Sequence, residues 1–146
     1  MTGKLFTSAQ SWFNLTLPDD WSEYEDEEGT YAFFNEKNWT GNFRVTPFRW
    51  EQTTNDGDDK AAKYISGELE DNKDAVEIKL GIFPCAHYKK NLAQEGDEFI
   101  IYYWITGLKN NLFICSFTIN KEQESTEKNT HELNIVETII KSITLK

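Results

Sequence analysis

The chain has 146 residues, with 25 acidic and 15 basic side chains and a formal net charge of −10. Its 38% hydrophobic and 14% aromatic content exceeds what a disordered chain carries. No stretch reaches the roughly 18 apolar residues a membrane-spanning helix needs, and a surface this acidic repels phosphates, so nucleic acid is not an expected ligand.

Residues Ser11 to Leu17 read as a first strand, with Phe13, Leu15 and Leu17 alternating against Trp12, Asn14 and Thr16. Pro18-Asp19-Asp20 ends it, and the acidic run up to Glu28 follows as a loop closed by Gly29. Thr30 to Asn35 is a second strand, with Tyr31 and Phe33 on one face and Ala32 and Phe34 on the other. Phe43 to Trp50 is a third, in which Pro47 suggests an edge position or a bulge.

A polar loop over Thr53 to Asp59 leads into a helix of about Asp58 to Glu70, whose apolar stripe is Ala61, Ala62, Ile65 and Leu69. Val76 to Ile82 alternates as a half-buried strand and is broken at Pro84. Cys85 to Leu92 is a shorter strand, turned at Glu95-Gly96-Asp97. Glu98 to Thr106 is apolar on both faces, as expected of a strand covered on both sides. Lys109-Asn110-Asn111 makes a hairpin into Leu112 to Asn120. A last helix, Asn129 to Ser142, places Leu133, Val136, Ile139 and Ile140 at helical spacing. The order β-β-β-α-β-β-β-β-α predicts a single α+β domain over 1–146, an antiparallel sheet of six to seven strands flanked by helices on both faces.

The residues that could carry chemistry are sparse. Cys85 and Cys115 read as small hydrophobes in strands; a disulfide requires those strands to be neighbours. His87 and His131 are far apart, and neither Cys-x-x-Cys nor His-Glu-x-x-His occurs. Asn55 to Asp59 looks superficially like a calcium loop but lacks the alternating ligands, and reads instead as a turn and helix cap. No metal, cofactor or catalytic residue is expected. The N-terminus has one lysine and no apolar core, so it does not read as a secretory signal, and a cytoplasmic placement is expected.

Charge is the sharpest feature. Residues 1–74 hold 16 acids and 7 bases, and seven of those acids fall between Asp19 and Glu28 with no base among them. This run reads either as a solvated loop or as a docking patch for a basic protein partner. Trp21 and Tyr24 lie within it, and tryptophan and tyrosine anchor interfaces. The candidate binding residues are Trp21, Tyr24, Glu25, Asp26, Glu27 and Glu28, with Trp39 and Trp50 as further anchors.

The opening Phe13-Asn14-Leu15-Thr16-Leu17-Pro18-Asp19-Asp20-Trp21, followed by Tyr31-Ala32-Phe33-Phe34 and Trp39-Thr40-Gly41-Asn42-Phe43-Arg44-Val45, resembles one group of proteins. It is the group sharing the fold of photosystem PsbP, the yeast Ran-binding Mog protein and the bacterial DcrB-like proteins. The style is that of an uncharacterised, Bacteroides-type branch. The resemblance implies a non-enzymatic binding or adaptor domain. The alternatives kept beside it are a toxin-immunity protein or secretion-effector chaperone, and a carboxylate-dependent hydrolase.

Overall fold

The computed structural model describes residues 3–51 and 59–145. Strand β1 (Gly3–Thr7) runs antiparallel to β2 (Phe13–Pro18), and the short β10 (Thr144–Leu145) pairs with the other edge of β2. These three form a small sheet. The remaining strands are β3 (Trp21–Tyr24), β4 (Tyr31–Asn35), β5 (Gly41–Arg49), β6 (Val76–Leu80), β7 (Phe83–Gln94), β8 (Asp97–Leu108) and β9 (Asn111–Asn120). They build a seven-stranded antiparallel sheet in the order β3-β4-β5-β9-β8-β7-β6. Helix α1 (Lys60–Asp71) connects β5 to β6, and α2 (Glu127–Lys141) follows β9.

Side chains alternate across a strand, so the large sheet has two distinct faces. Phe43 of β5 lies opposite Phe117 of β9, and Val45 opposite Cys115, which in turn lies opposite Trp104 of β8. These rings and aliphatic chains face the small sheet and α2, which supply Phe13, Leu15, Val136, Ile139 and Ile140 to one buried core. Edge-on ring contacts knit the two sheets together: the Phe13 and Phe113 centroids are 5.0 Å apart, and those of Phe6 and Phe33 are 5.1 Å apart. Each fully buried ring of this kind contributes about 1.5–3 kcal/mol. Gly41 is needed where β5 crosses β9, because a Cβ there would sit 2.4 Å from the Thr118 carbonyl oxygen.

The opposite face carries α1. Ala61 and Ile65 pack on Ala86, Ile105 and Leu112 of β7, β8 and β9. The α+β class, the antiparallel sheet and the helices on both faces are therefore as the sequence suggests. Asp59 caps α1 by accepting from the Ala62 N–H at 2.8 Å, and also accepts from the Lys109 N–H at 3.1 Å, tying the helix to the β8–β9 turn. The calcium-like stretch lies outside the described residues except for Asp59.

Several boundaries differ. Strands β1 and β10 are additions. Strand β3 forms inside the acidic run, which is therefore not all loop. Pro84 does not end pairing: it lies opposite Lys79 within the β6–β7 ladder. By antiparallel alternation its missing N–H points towards β8, where pairing starts one residue later, and its carbonyl accepts the Thr106 hydroxyl at 2.7 Å. Pro47 escapes in a similar way, since β4 pairs β5 only from Phe43 to Val45. Ile82 belongs to the β6–β7 turn and is 68% exposed. Cys85 and Cys115 are free and buried on β7 and β9, with β8 between them, so the strands a disulfide would need are not adjacent.

Candidate functional site

The open part of the large sheet lies over β3, β4 and β5, beyond the strands that α1 covers. Tyr24 of β3, Ala32 of β4 and Arg44 of β5 line up across the three strands on this face. Phe34 is two residues on from Ala32 and shares its direction. The Tyr24 and Phe34 rings meet edge-on, with centroids 5.7 Å apart. Trp39 enters from the β4–β5 connection, 60% exposed, and its indole N–H donates to Asn42 Oδ1 at 3.2 Å. Tyr24, Phe34, Trp39, Asn42 and Arg44 frame a shallow cleft of about 510 Å³.

The acidic loop forms the rim. Residues Glu23 to Tyr31 enclose a second hollow of about 550 Å³. Gly29 (φ 87°) lets the chain turn back, and the Thr30 N–H donates to the Glu27 carbonyl at 3.1 Å. Arg44 Nε donates to Asp26 Oδ2 at 2.6 Å, which pins the loop to the cleft floor. That hydrogen bond holds the Asp26 carboxyl below its ordinary value. Burial pushes the Tyr24 phenol up, and its hydroxyl oxygen is buried without a hydrogen-bond partner among the described residues. Glu25, Glu27 and Glu28 remain exposed along the rim.

The structure thus gathers Tyr24, Glu25, Asp26, Glu27, Glu28 and Trp39 in one region. Two of the expected residues fall elsewhere. Trp21 is fully buried, on the core side of β3, and cannot reach a partner. Trp50 lies past the far end of β5, beside Phe48 and Tyr64, with ring centroids 5.7 and 6.5 Å away. Eight residues of extended chain from Asn42 put it roughly 26 Å along the strand from the cleft. Phe34, Asn42 and Arg44 complete the site. For Phe34 and Arg44 the signal was the alternation already visible in Tyr31 to Asn35 and Phe43 to Trp50, since each neighbours a core residue; Asn42 lay in the expected connection and joins the site because β5 starts at Gly41.

Cys85, Cys115 and His87 sit in packed surroundings, whereas His131 of α2 is exposed. Burial pushes the Cys85 thiol up to about 12, and burial raises Cys115 as well, so both stay protonated. His87 stacks on Trp104 with centroids 4.8 Å apart, and its Nδ1 lies 2.8 Å from the Tyr103 carbonyl oxygen. Among the described residues no group of three or more His, Cys, Asp or Glu side chains comes together to hold a metal. No helix among them is long and apolar enough to cross a membrane.

The model of the domain of unknown function DUF3805 matches residues 1–146. The chain belongs to this family. A crystal structure of a Bacteroides thetaiotaomicron protein matches all of this chain with 35% identity and a TM-score of 0.78, and the match covers 49% of that protein. The chain therefore spans about half the length of that relative. LpqN of Mycobacterium tuberculosis, described as involved in cell envelope biogenesis, matches 99% of this chain and 91% of its own at 11% identity, with a TM-score of 0.55. That likeness is one of fold. Cyanobacterial PsbP from Synechocystis sp. PCC 6803 aligns over 99% of this chain and 93% of its own, with 9% identity and a TM-score of 0.46. A comparison with curated proteins gave no match. The resemblance to an uncharacterised, Bacteroides-type domain is borne out: the family is one of unknown function, and the first of these structures is from a Bacteroides species.

Proposed function

We propose that this chain is a non-enzymatic protein-binding domain that takes a basic segment of a partner on the open part of its large sheet. The observation that carries this reading is the gathering of Tyr24, Phe34 and Trp39 around one cleft, with Glu25, Glu27 and Glu28 along its rim. The exposed indole of Trp39 offers a broad apolar surface for the stem of a lysine or arginine. A cation held over such a ring gains about 0.5–1 kcal/mol at an exposed site and about 2 when desolvated. Asp26 is neutralised by Arg44, so the remaining carboxylates set the field that draws a basic partner in and speeds encounter.

The protonated, buried thiols support a binding role over cysteine catalysis. A basic toxin neutralised by this chain is a narrower form of the same reading, and the chain's charge of −10 argues against nucleic acid as the partner.

The test is fluorescence anisotropy with a labelled lysine- and arginine-rich peptide. Trp39→Ala leaves the net charge unchanged and is expected to weaken binding about fivefold or more. Neutralising Glu25, Glu27 and Glu28 to glutamine is expected to slow association and flatten its salt dependence. Equal affinity of Trp39→Ala and the parent would reduce the binding to general charge attraction and overturn the assignment.

A further inference from the structure

Among the described residues strand β6 ends the large sheet, with β7 on one side and no strand on the other. Such an edge presents unpaired N–H and C=O groups and is a template for another strand, unless it is blunted by proline, a bulge, great shortness or charged side chains that meet no opposite charge on the incoming strand. β6 has five residues, Val-Glu-Ile-Lys-Leu, with no proline or bulge, and its two charges, Glu77 and Lys79, are of opposite sign. Val76 at its start is 54% exposed. The opposite edge, β3, has only four residues and leads straight into the acidic loop.

The hairpin fixes which backbone groups point outward. Gly81 (φ 64°) and Ile82 form a two-residue turn between Leu80 and Phe83, which pair directly. In a hairpin of this kind the flanking pair exchanges both of its hydrogen bonds. Leu80, Ile78 and Val76 therefore direct their backbone groups at β7, and Glu77 and Lys79 direct theirs away from the sheet.

That arrangement matches a second copy of itself. If two β6 strands lie antiparallel about a two-fold axis at Ile78, Glu77 of each copy stands opposite Lys79 of the other. These are the residues whose N–H and C=O point outward, so the two pairs make four backbone hydrogen bonds and two ion pairs. Ile78 meets Ile78, and Val76 meets Leu80, on the core side. A slip that centres the axis on Glu77 or Lys79 sets like charge against like, which penalises the neighbouring registers. The acidic loops lie at the far edges of the two sheets. Six strand spacings of about 4.8 Å separate β6 from β3 within one sheet, well beyond the screening length of about 8 Å at physiological salt.

We propose that this protein forms a two-fold dimer in which β6 pairs antiparallel with β6 of a second copy, joining the two large sheets edge to edge. The interface is isologous, so it closes on itself and does not propagate into a fibre. It leaves the Tyr24–Trp39 cleft of each copy free.

The test is mass measurement by light scattering on the parent chain across micromolar to millimolar concentration, with circular-dichroism melts to confirm that each variant folds. The parent is expected to shift from monomer to dimer mass with concentration. Lys79→Glu and Glu77→Lys, made singly, each turn both ion pairs repulsive and are expected to weaken the dimer about tenfold or more. The double variant Glu77→Lys/Lys79→Glu restores opposite charges and should return to within about threefold of the parent. Mixing the two single variants sets two lysines against two glutamates and should give a heterodimer. Monomer mass at every concentration overturns the proposal. So does a dimer that the single reversals leave untouched, or one that neither the double variant nor the mixture restores.

Discussion

The closed and open faces of the seven-stranded sheet are built by the same strands, one residue out of step. Along β5, Phe43 and Val45 are fully buried, while the alternate residues Asn42, Arg44 and Thr46 are partly exposed. On β4, Phe33 is fully buried, and its neighbour Phe34 lies in the open cleft against Tyr24. The same residue type thus holds the core together on one side and shapes a surface on the other. What decides between the roles is the layer above: the small sheet and α2 cover one face, whereas α1 covers the other only over β7, β8 and β9.

Neighbouring phenylalanines give the sharpest way to break this comparison. Phe33→Ala removes a core ring and is expected to cost about 3–5 kcal/mol in urea unfolding. Phe34→Ala should cost about 1 kcal/mol or less. Equal costs would mean that both faces are packed alike.

Two carboxylates sharpen it further, because burial and ion pairing shift them in opposite directions. Glu132 of α2 is 1% exposed; Asn35 Nδ2 donates to its Oε2 at 3.2 Å, and its Oε1 is unpartnered among the described residues. Burial, the largest cause, raises its pKa. A raised folded-state pKa means stability that is fully present below the unfolded value and lost as pH rises through the folded one. Glu132→Gln should therefore raise Tm by a few degrees at neutral pH, with the gain fading as pH falls through the unfolded value of about 4.3 and gone by about pH 3, where the glutamate is protonated in both states. A gain that persists at acid pH would locate the effect in packing instead.

Asp26 behaves oppositely. Its lowered pKa means that the Arg44 contact contributes above the unfolded value and is lost as pH falls through the folded one. The pair is solvent-accessible, so Asp26→Asn should cost no more than about 1 kcal/mol in denaturant titrations, and less at high salt. A larger cost would show that the acidic loop supports the fold.

The legible parts of the sequence were those with a sustained period. Residues 98–120 and the last helix show their pattern over many positions, and their elements lie where that pattern puts them, within a few residues. β1 escaped notice because only Phe6 among its five residues is even partly buried, and Leu5 is 66% exposed. β10 has two residues and exists only because β2 offers an edge. β3 was hidden by composition: carboxylates disfavour strands, yet pairing with β4 and burial of Trp21 override that preference. The same override removed Trp21 from the surface. The acidic rim and Trp39 could be read from residue type. Phe34 and Arg44 needed the register that sets them beside Tyr24.

The most direct measurement is an NMR titration of the isotope-labelled chain with the cationic peptide. The binding account predicts that the largest shifts fall on Tyr24 to Gly29, Phe34 and Asn42 to Arg44, and on the indole N–H of Trp39, with the indoles of Trp50 and Trp104 unmoved. Shifts centred on Trp50 and Tyr64, or spread evenly over the surface, would contradict it.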